Sequence, residues 1–228
     1  MEFNVIDTVI FDLDGTLIDS APVVAEVIND MREQLGQSPM TLDFYRKWIS
    51  HGATELIAAS MDIDAANVEA YVSDFRLRYR QIPTPTSCLY PGVLDTIIFL
   101  SRQGIKLGIC SNKPEYLCRK IIAETGLAEK MGVIVGGDTL SVSKPFREPV
   151  DYVIQQLGGL HESTVLVGDS SVDQRAALAA NIPFVFFSKG YDDGVDRTKA
   201  LHVITRIPQL LDIHFFKDIK KNRHGVLC

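Results

Sequence analysis

Residues 5–16 read Val5-Ile6-Asp7-Thr8-Val9-Ile10-Phe11-Asp12-Leu13-Asp14-Gly15-Thr16, and this stretch decides the fold. From Val5 to Phe11 the run is β-branched and nearly all apolar, the pattern of a strand covered on both faces in a parallel sheet. It stops at two aspartates, with Gly15 allowing a sharp turn and Thr16 able to tie the loop through its hydroxyl. Open α/β sheets bind ligands at the carboxyl ends of their strands. Asp12 and Asp14 are therefore the first candidates for chemistry, since two carboxylates at this spacing can divide the labour of attack or metal binding and proton transfer. An Asx-type turn is the purely structural alternative. A calcium loop is excluded, because the sixth and twelfth positions from Asp12 are Leu17 and Val23, where an EF-hand needs Gly and Glu.

Outward from this strand, further strand patterns fall at residues 105–110, 164–168 and 183–187, with a weaker one at 132–135. Amphipathic helical patterns at 93–102, 115–125, 150–157 and 173–180 lie between and around them, and such alternation implies βαβ units and a parallel sheet. Asn181 suits a left-handed helix C-cap. Residues 20–82 differ. They show helical periodicity at 22–35, 42–49, 54–59 and 65–80 and no strand pattern, and read as an all-helical insertion. Pro83-Thr84-Pro85-Thr86 follows as a stiff extended connector, a second hinge to pair with one near residues 17–21. The expected architecture is an α/β, Rossmann-like three-layer core with a mostly parallel sheet (residues 1–20 and 83–228) carrying an inserted all-α cap (residues 21–82).

A chain of 228 residues with 46% hydrophobic content can bury one full core plus one sizeable insertion. A net charge of -6 argues against a nucleic-acid or anionic-membrane surface. The locally basic tail, with Lys217, Lys220, Lys221 and Arg223, reads as a solvated end. Cys88, Cys110, Cys118 and Cys228 form no C-x-x-C pair, which fits reduced thiols and a cytoplasmic location. No N-terminal stretch has the form of a secretory signal, and no apolar run reaches bilayer length. No motif specifies an oligomeric state.

Three later stations fall at successive strand ends. Ser111-Asn112-Lys113 follows the 105–110 strand, where a hydroxyl and backbone N–H groups can hold phosphoryl oxygens; alone it reads as a helix N-cap. In Ser143-Lys144-Pro145, Lys144 can neutralise charge at the same edge, although a lone lysine is more often a solvated surface residue. Gly168-Asp169-Ser170-Ser171-Val172-Asp173 ends the fourth strand and opens a helix, so a cap and a metal ligand can share the turn.

With Asp12-Leu13-Asp14-Gly15-Thr16-Leu17 first, these four stations in order resemble the signatures of the haloacid dehalogenase superfamily. The helical insertion resembles the cap of its phosphoglycolate phosphatase and β-phosphoglucomutase branch. The resemblance implies a Mg²⁺-dependent phosphatase acting on a small phosphorylated metabolite. It implies that Asp12 is the nucleophile and Asp14 the acid–base. Ser111 and Lys144, with the backbone N–H groups of Leu13, Asp14 and Asn112, would hold the phosphoryl group. Mg²⁺ would be bound by Asp12, the backbone carbonyl of Asp14 and Asp169, supported by Asp173.

Asp14 argues for phosphate rather than halide chemistry, because displacing a halide needs no acid. A phosphosugar mutase would use the same core residues. The cap segment Trp48-Ile49-Ser50-His51-Gly52-Ala53 is more similar to the phosphatase specificity loop, and no Lys or Arg lies between Ser50 and Glu69 to grip a second phosphate. An inactive binding module is the alternative of another class; it is disfavoured by intact Asp12, Asp14, Lys144 and Asp169. For a second anionic group on the substrate, the candidates are backbone N–H groups at His51 and Gly52, and Arg147. Arg147 also reads as a solvated residue paired with a neighbouring acid. The segment Phe146-Arg147-Glu148 departs from the alternating prolines of many relatives.

Overall fold

The computed structural model describes residues 6–213. Val5, Cys228 and the basic tail at 217–228 lie outside these residues. The opening run forms β1 (Thr8–Phe11), all four residues of which are buried. It lies between β2 (Lys106–Cys110) and β4 (Thr164–Gly168), with Phe11 opposite both Ile109 and Val167. Adding β3 (Val133–Val135), β5 (Phe184–Phe187) and β6 (His202–Ile204) gives one sheet of order β3-β2-β1-β4-β5-β6. All five pairings are parallel.

The alternation of side chains across a strand explains the continuous apolar run. Val9 and Phe11 join Leu107, Ile109, Val165 and Val167 in the core on one face, whereas Ile10 joins Leu166 and Phe186 on the other. Helices α5 (Val93–Arg102) and α6 (Glu115–Glu124) cover the first face through Ile97, Leu100, Leu117 and Ile121. Helices α7 (Glu148–Leu157) and α8 (Ser171–Ala179) cover the second through Val153, Ile154, Ala176 and Ala177. Asn181 has φ of 55°, the left-handed geometry expected after α8. The sequence reading omitted β6, a three-residue edge strand with His202 and Val203 exposed.

Between β1 and β2 the chain builds α1 (Ala21–Gln34), α2 (Leu42–Ile49), α3 (Ala53–Ser60) and α4 (Val68–Gln81). Ile28, Met31, Tyr45, Ile57 and Val72 fill the space among them. The expected helix at 65–80 begins as a 3₁₀ turn at Ala65–Asn67, capped by the Asp64 side chain on the Ala66 N–H. Buried Arg32 of α1 donates to the carbonyls of Ser38 and Ser60, tying α1 to the end of α3. The two connections to the core run side by side. Ile18 bridges Leu89, the Asp19 N–H donates to the Cys88 carbonyl and the Tyr90 N–H to that of Leu17. Beyond α4, the Thr84 N–H donates to Glu124 and the Lys120 ammonium to the Ile82 carbonyl, clamping the proline connector onto α6. Among the described residues no helix is long and apolar enough to cross a membrane, and Cys88, Cys110 and Cys118 are free thiols.

Candidate active site

From β1 the chain adds β2 and β3 to one side of the sheet, then returns to add β4 on the other. Such a reversal opens a crevice at the carboxyl edge. Asp12 follows β1, Ser111 follows β2, Lys144 stands in the loop between β3 and α7, Asp169 follows β4, and Asp173 sits in the first turn of α8.

Lys144 is 4% exposed, and its ammonium lies 2.8 Å from Asp12 Oδ1 and 2.5 Å from Asp173 Oδ1. The other oxygen of Asp173 accepts from the N–H and hydroxyl of Ser170, which in turn caps the Asp173 N–H. Both Asp173 oxygens are thus committed to holding Lys144 and the start of α8. The Thr16 hydroxyl donates to Asp169 Oδ1 and the Tyr191 N–H to Asp169 Oδ2, each at 2.6 Å. The Leu13 side chain is fully buried, so only its backbone can face a ligand.

Carboxylate oxygens of Asp12, Asp169 and Asp173 lie within 4.8 Å of one another, all three residues buried. Burial, then the neighbouring Asp173, pushes the Asp12 carboxyl up to about 7, with Lys144 opposing. Burial, then Asp12 and Asp173, raises Asp169 well above the ordinary carboxylate range. Burial works against the Lys144 charge, yet Asp12 and Asp173 hold its pKa above the usual lysine value. Fully ionised, three carboxylates facing one ammonium would carry two unanswered negative charges, and the raised pKa values of Asp12 and Asp169 express burial and that repulsion. A dry cluster of hard oxygen donors with that deficit fits Mg²⁺.

The loops approach so closely that glycine is required at two points. A Cβ on Gly15, whose φ is +82°, would stand 2.2 Å from Asp169 Oδ2, and one on Gly190 would stand 2.1 Å from the Gly15 carbonyl oxygen.

Asp14 faces the cap. Its Oδ2 lies 3.0 Å from the Lys113 ammonium, which also sits 4.5 Å over the ring of Tyr79 on α4. Burial opposes the Lys113 charge, but Asp14 and then Tyr79 raise its pKa above the ordinary lysine value. The other oxygen, Asp14 Oδ1, is buried with no protein partner. Ser111 is buried; its hydroxyl oxygen accepts the Lys113 N–H, and its own N–H is given to the Val135 carbonyl. The Asn112 amide donates to the carbonyls of Ser50 in the cap and Lys144 in the core.

The specificity candidates divide. Gly52 lines the cavity between cap and core, together with Asp14, Asn112 and Lys113. His51 turns away from it, its ring tilted against that of Trp48 at 5.7 Å between centroids and its imidazole reaching 3.2 Å to Asp193. The backbone N–H groups of both His51 and Gly52 donate to the Trp48 and Ile49 carbonyls in the turn that ends α2. Arg147 is half exposed and pairs with Asp151 one turn along α7 at 2.6 Å, as its reading as a solvated residue paired with a neighbouring acid expects, and it is not among the residues lining that cavity. The absence of basic residues between Ser50 and Glu69 does not leave the cap without a cation, because Arg76 of α4 lines the cavity.

Sequence reasoning missed Lys113, Tyr191 and Arg76 as site residues. Lys113 stood inside a quoted motif, and its adjacency to Ser111 was the available signal. Tyr191 acts through its backbone N–H and Arg76 through tertiary placement, for which the sequence carries no spacing signal.

The sequence model of the haloacid dehalogenase-like hydrolases matches residues 9–187. A phosphoglycolate phosphatase of Pseudomonas putida is 35% identical over 193 residues, covering 82% of this chain and 71% of that protein. One of Xylella fastidiosa strain Temecula1 is 35% identical over 203 residues and covers 89% of each chain. A crystal structure of a predicted phosphoglycolate phosphatase from Haemophilus somnus has a TM-score of 0.84 at 25% identity, over 92% of this chain and 98% of that one. A β-phosphoglucomutase from Clostridium difficile, at 17% identity and TM-score 0.76 over 96% of this chain and 99% of its own, shares the fold. The match of the family model across the sheet and cap, joined to these relatives, establishes the chain as a haloacid dehalogenase-like hydrolase acting on phosphoric monoesters.

Proposed function

We propose that the chain hydrolyses a small phosphorylated acid, with phosphoglycolate the leading substrate, through an aspartyl phosphate, an acyl phosphate formed on the Asp12 carboxylate. The observation that carries this reading is the separate partnering of the two aspartates: Asp12 with Lys144 in the acidic cluster, Asp14 with Lys113 at the cap. An Asp12 oxygen attacks phosphorus as the bond to the leaving oxygen breaks, and Asp14 gives that oxygen its proton. Asp14 then takes a proton from water as the water oxygen attacks phosphorus; the bond to Asp12 breaks, releasing phosphate and restoring both carboxyls.

Lys144, the Ser111 hydroxyl and the backbone N–H groups of Leu13, Asp14 and Asn112 disperse charge on the phosphoryl oxygens. Mg²⁺ would be held by Asp12, the Asp14 carbonyl and Asp169, and when bound supplies the positive charge the cluster lacks. The cavity between cap and core is lined from both sides, by Gly52, Phe75 and Arg76 of the cap and by Asp14, Asn112 and Lys113 of the core. Residues 21–82 would move as a cap on the paired connections at Ile18 and Leu89, opening this seam to substrate and closing it for reaction. The free thiols support a reducing, intracellular setting.

Comparing kcat/KM for phosphoglycolate, β-glucose 1-phosphate, sugar 6-phosphates and nucleoside monophosphates, with and without Mg²⁺, tests the proposal. Phosphoglycolate is expected to rank first. A tenfold advantage for a sugar phosphate or nucleotide contradicts the substrate assignment, an isomerised sugar phosphate indicates a mutase, and absence of metal-dependent turnover indicates a binding module.

A further inference from the structure

Four buried side-chain polar atoms have no hydrogen-bond partner among the described residues: Asp14 Oδ1, Ser50 Oγ, Arg76 Nε and Asn112 Oδ1. Three of these four residues, Asp14, Arg76 and Asn112, line one cavity at the cap–core seam. Buried polar groups are normally satisfied, so a cluster of unsatisfied ones calls for a water, an ion or a ligand to complete the bonding.

The cations around this cavity are not equivalent. Lys144 is committed to Asp12 and Asp173, and Lys113 to Asp14 and the Tyr79 ring. Of the other cap arginines, Arg32 is committed to carbonyls, Arg46 to Asp43 and Arg78 to Asp30 and Asp74, while Arg80 is exposed and does not line the cavity. Arg76 differs, with its Nε–H buried at the cavity wall and no protein acceptor. Asp14 stands on the core side of the same cavity with an open oxygen. A phosphate ester whose phosphorus lies at Asp12 and whose leaving oxygen meets Asp14 directs the rest of its leaving group toward the cap. That is where Arg76 waits, with a planar donor fork matched to a carboxylate.

We infer that Arg76 is the specificity residue that binds a carboxylate on the leaving group of the substrate. The inference deepens the proposed function and rests on its assignment of a small phosphorylated acid. It also gives the cap a reason to close: the carboxylate joins cap to core only when substrate is present, which couples recognition to exclusion of water.

The test is titration calorimetry with the Mg²⁺-loaded protein and two non-hydrolysable probes, 3-phosphonopropionate and propylphosphonate, which differ in the terminal carboxylate. Wild type is expected to bind the carboxylate probe at least tenfold more tightly. In Arg76→Met the ratio of the two Kd values should fall to about one, and in Arg76→Lys, a gentler change should one variant fail to fold, it should take an intermediate value. No carboxylate advantage in wild type, or a ratio in folded variants within twofold of wild type, overturns the inference. The substrate assignment fails separately: a retained carboxylate advantage without turnover of phosphoglycolate condemns phosphoglycolate and leaves Arg76 in its role.

Discussion

Lys113 holds one oxygen of Asp14 at 3.0 Å and leaves the other, buried at the cap–core seam, without a protein partner. The pair fixes one side of Asp14, a residue that lines the cavity between cap and core. Lys113→Met removes this hold. Turnover number is expected to fall roughly 10- to 100-fold, less than the roughly 10²- to 10⁴-fold loss of removing an acid–base group outright, with KM changing less. Lys113→Arg should recover part of the loss; steady-state kinetics on both variants check this, and equal losses in the two would remove the charge-based role.

Asp12→Asn should separate stability from activity. Removing one charge from the acidic cluster relieves repulsion while Lys144 keeps Asp173 as a partner. The metal-free variant is expected to melt at least about 2 °C above metal-free wild type, a fraction of a kcal/mol for a chain of this size, yet to hydrolyse no ester. A lower melting temperature in calorimetry would show that the cluster is not under electrostatic strain.

Metal binding should act on the same repulsion from the other direction. Wild type in millimolar Mg²⁺ is expected to melt several degrees higher than in EDTA, because ligand binding to the native state stabilises it by mass action. The increment should shrink in Asp169→Asn. An unchanged increment would place the metal elsewhere.

Gly15→Ala is expected to destabilise the protein by more than about 1 kcal/mol, as strained positive-φ substitutions do, and to abolish activity. The added methyl would enter the space of Asp169 Oδ2. Denaturant unfolding and an activity assay test both halves. By contrast, Arg147→Ala, which breaks only an exposed pair with Asp151, should leave kcat/KM for phosphoglycolate within twofold.

The core was legible because each link was local. The apolar run ending in Asp12 is long enough to be buried on both faces, and the helix and strand periods alternate cleanly after Pro83. The loops that carry Asp12, Ser111, Lys144 and Asp169 fall at strand ends, and parallel topology brings those ends to one edge. Even the tie by Thr16 was readable from its place in the turn.

What depends on how the cap rests on the core was not legible. His51 and Gly52 are neighbours in sequence, but the turn ending α2 spends both of their N–H groups and sends the imidazole to Asp193. Arg76 carries no sign in the sequence that it differs from Arg78, which pairs on the surface with Asp74 and Asp30. The edge strand β6 escaped because three residues with two exposed leave no apolar run.

The central claim is that Asp12 carries the phosphoryl group, and the most direct measurement is the covalent state of that residue during reaction. Asp14→Asn protein with Mg²⁺ can be mixed with acetyl phosphate, whose acetate leaves without needing an acid, then quenched in acid, digested and weighed by mass spectrometry. The account predicts a phosphate on the peptide containing Asp12 and none in the Asp12→Asn,Asp14→Asn double variant. Phosphate on another residue, or hydrolysis of acetyl phosphate by Asp14→Asn with Asp12 never modified, would contradict it.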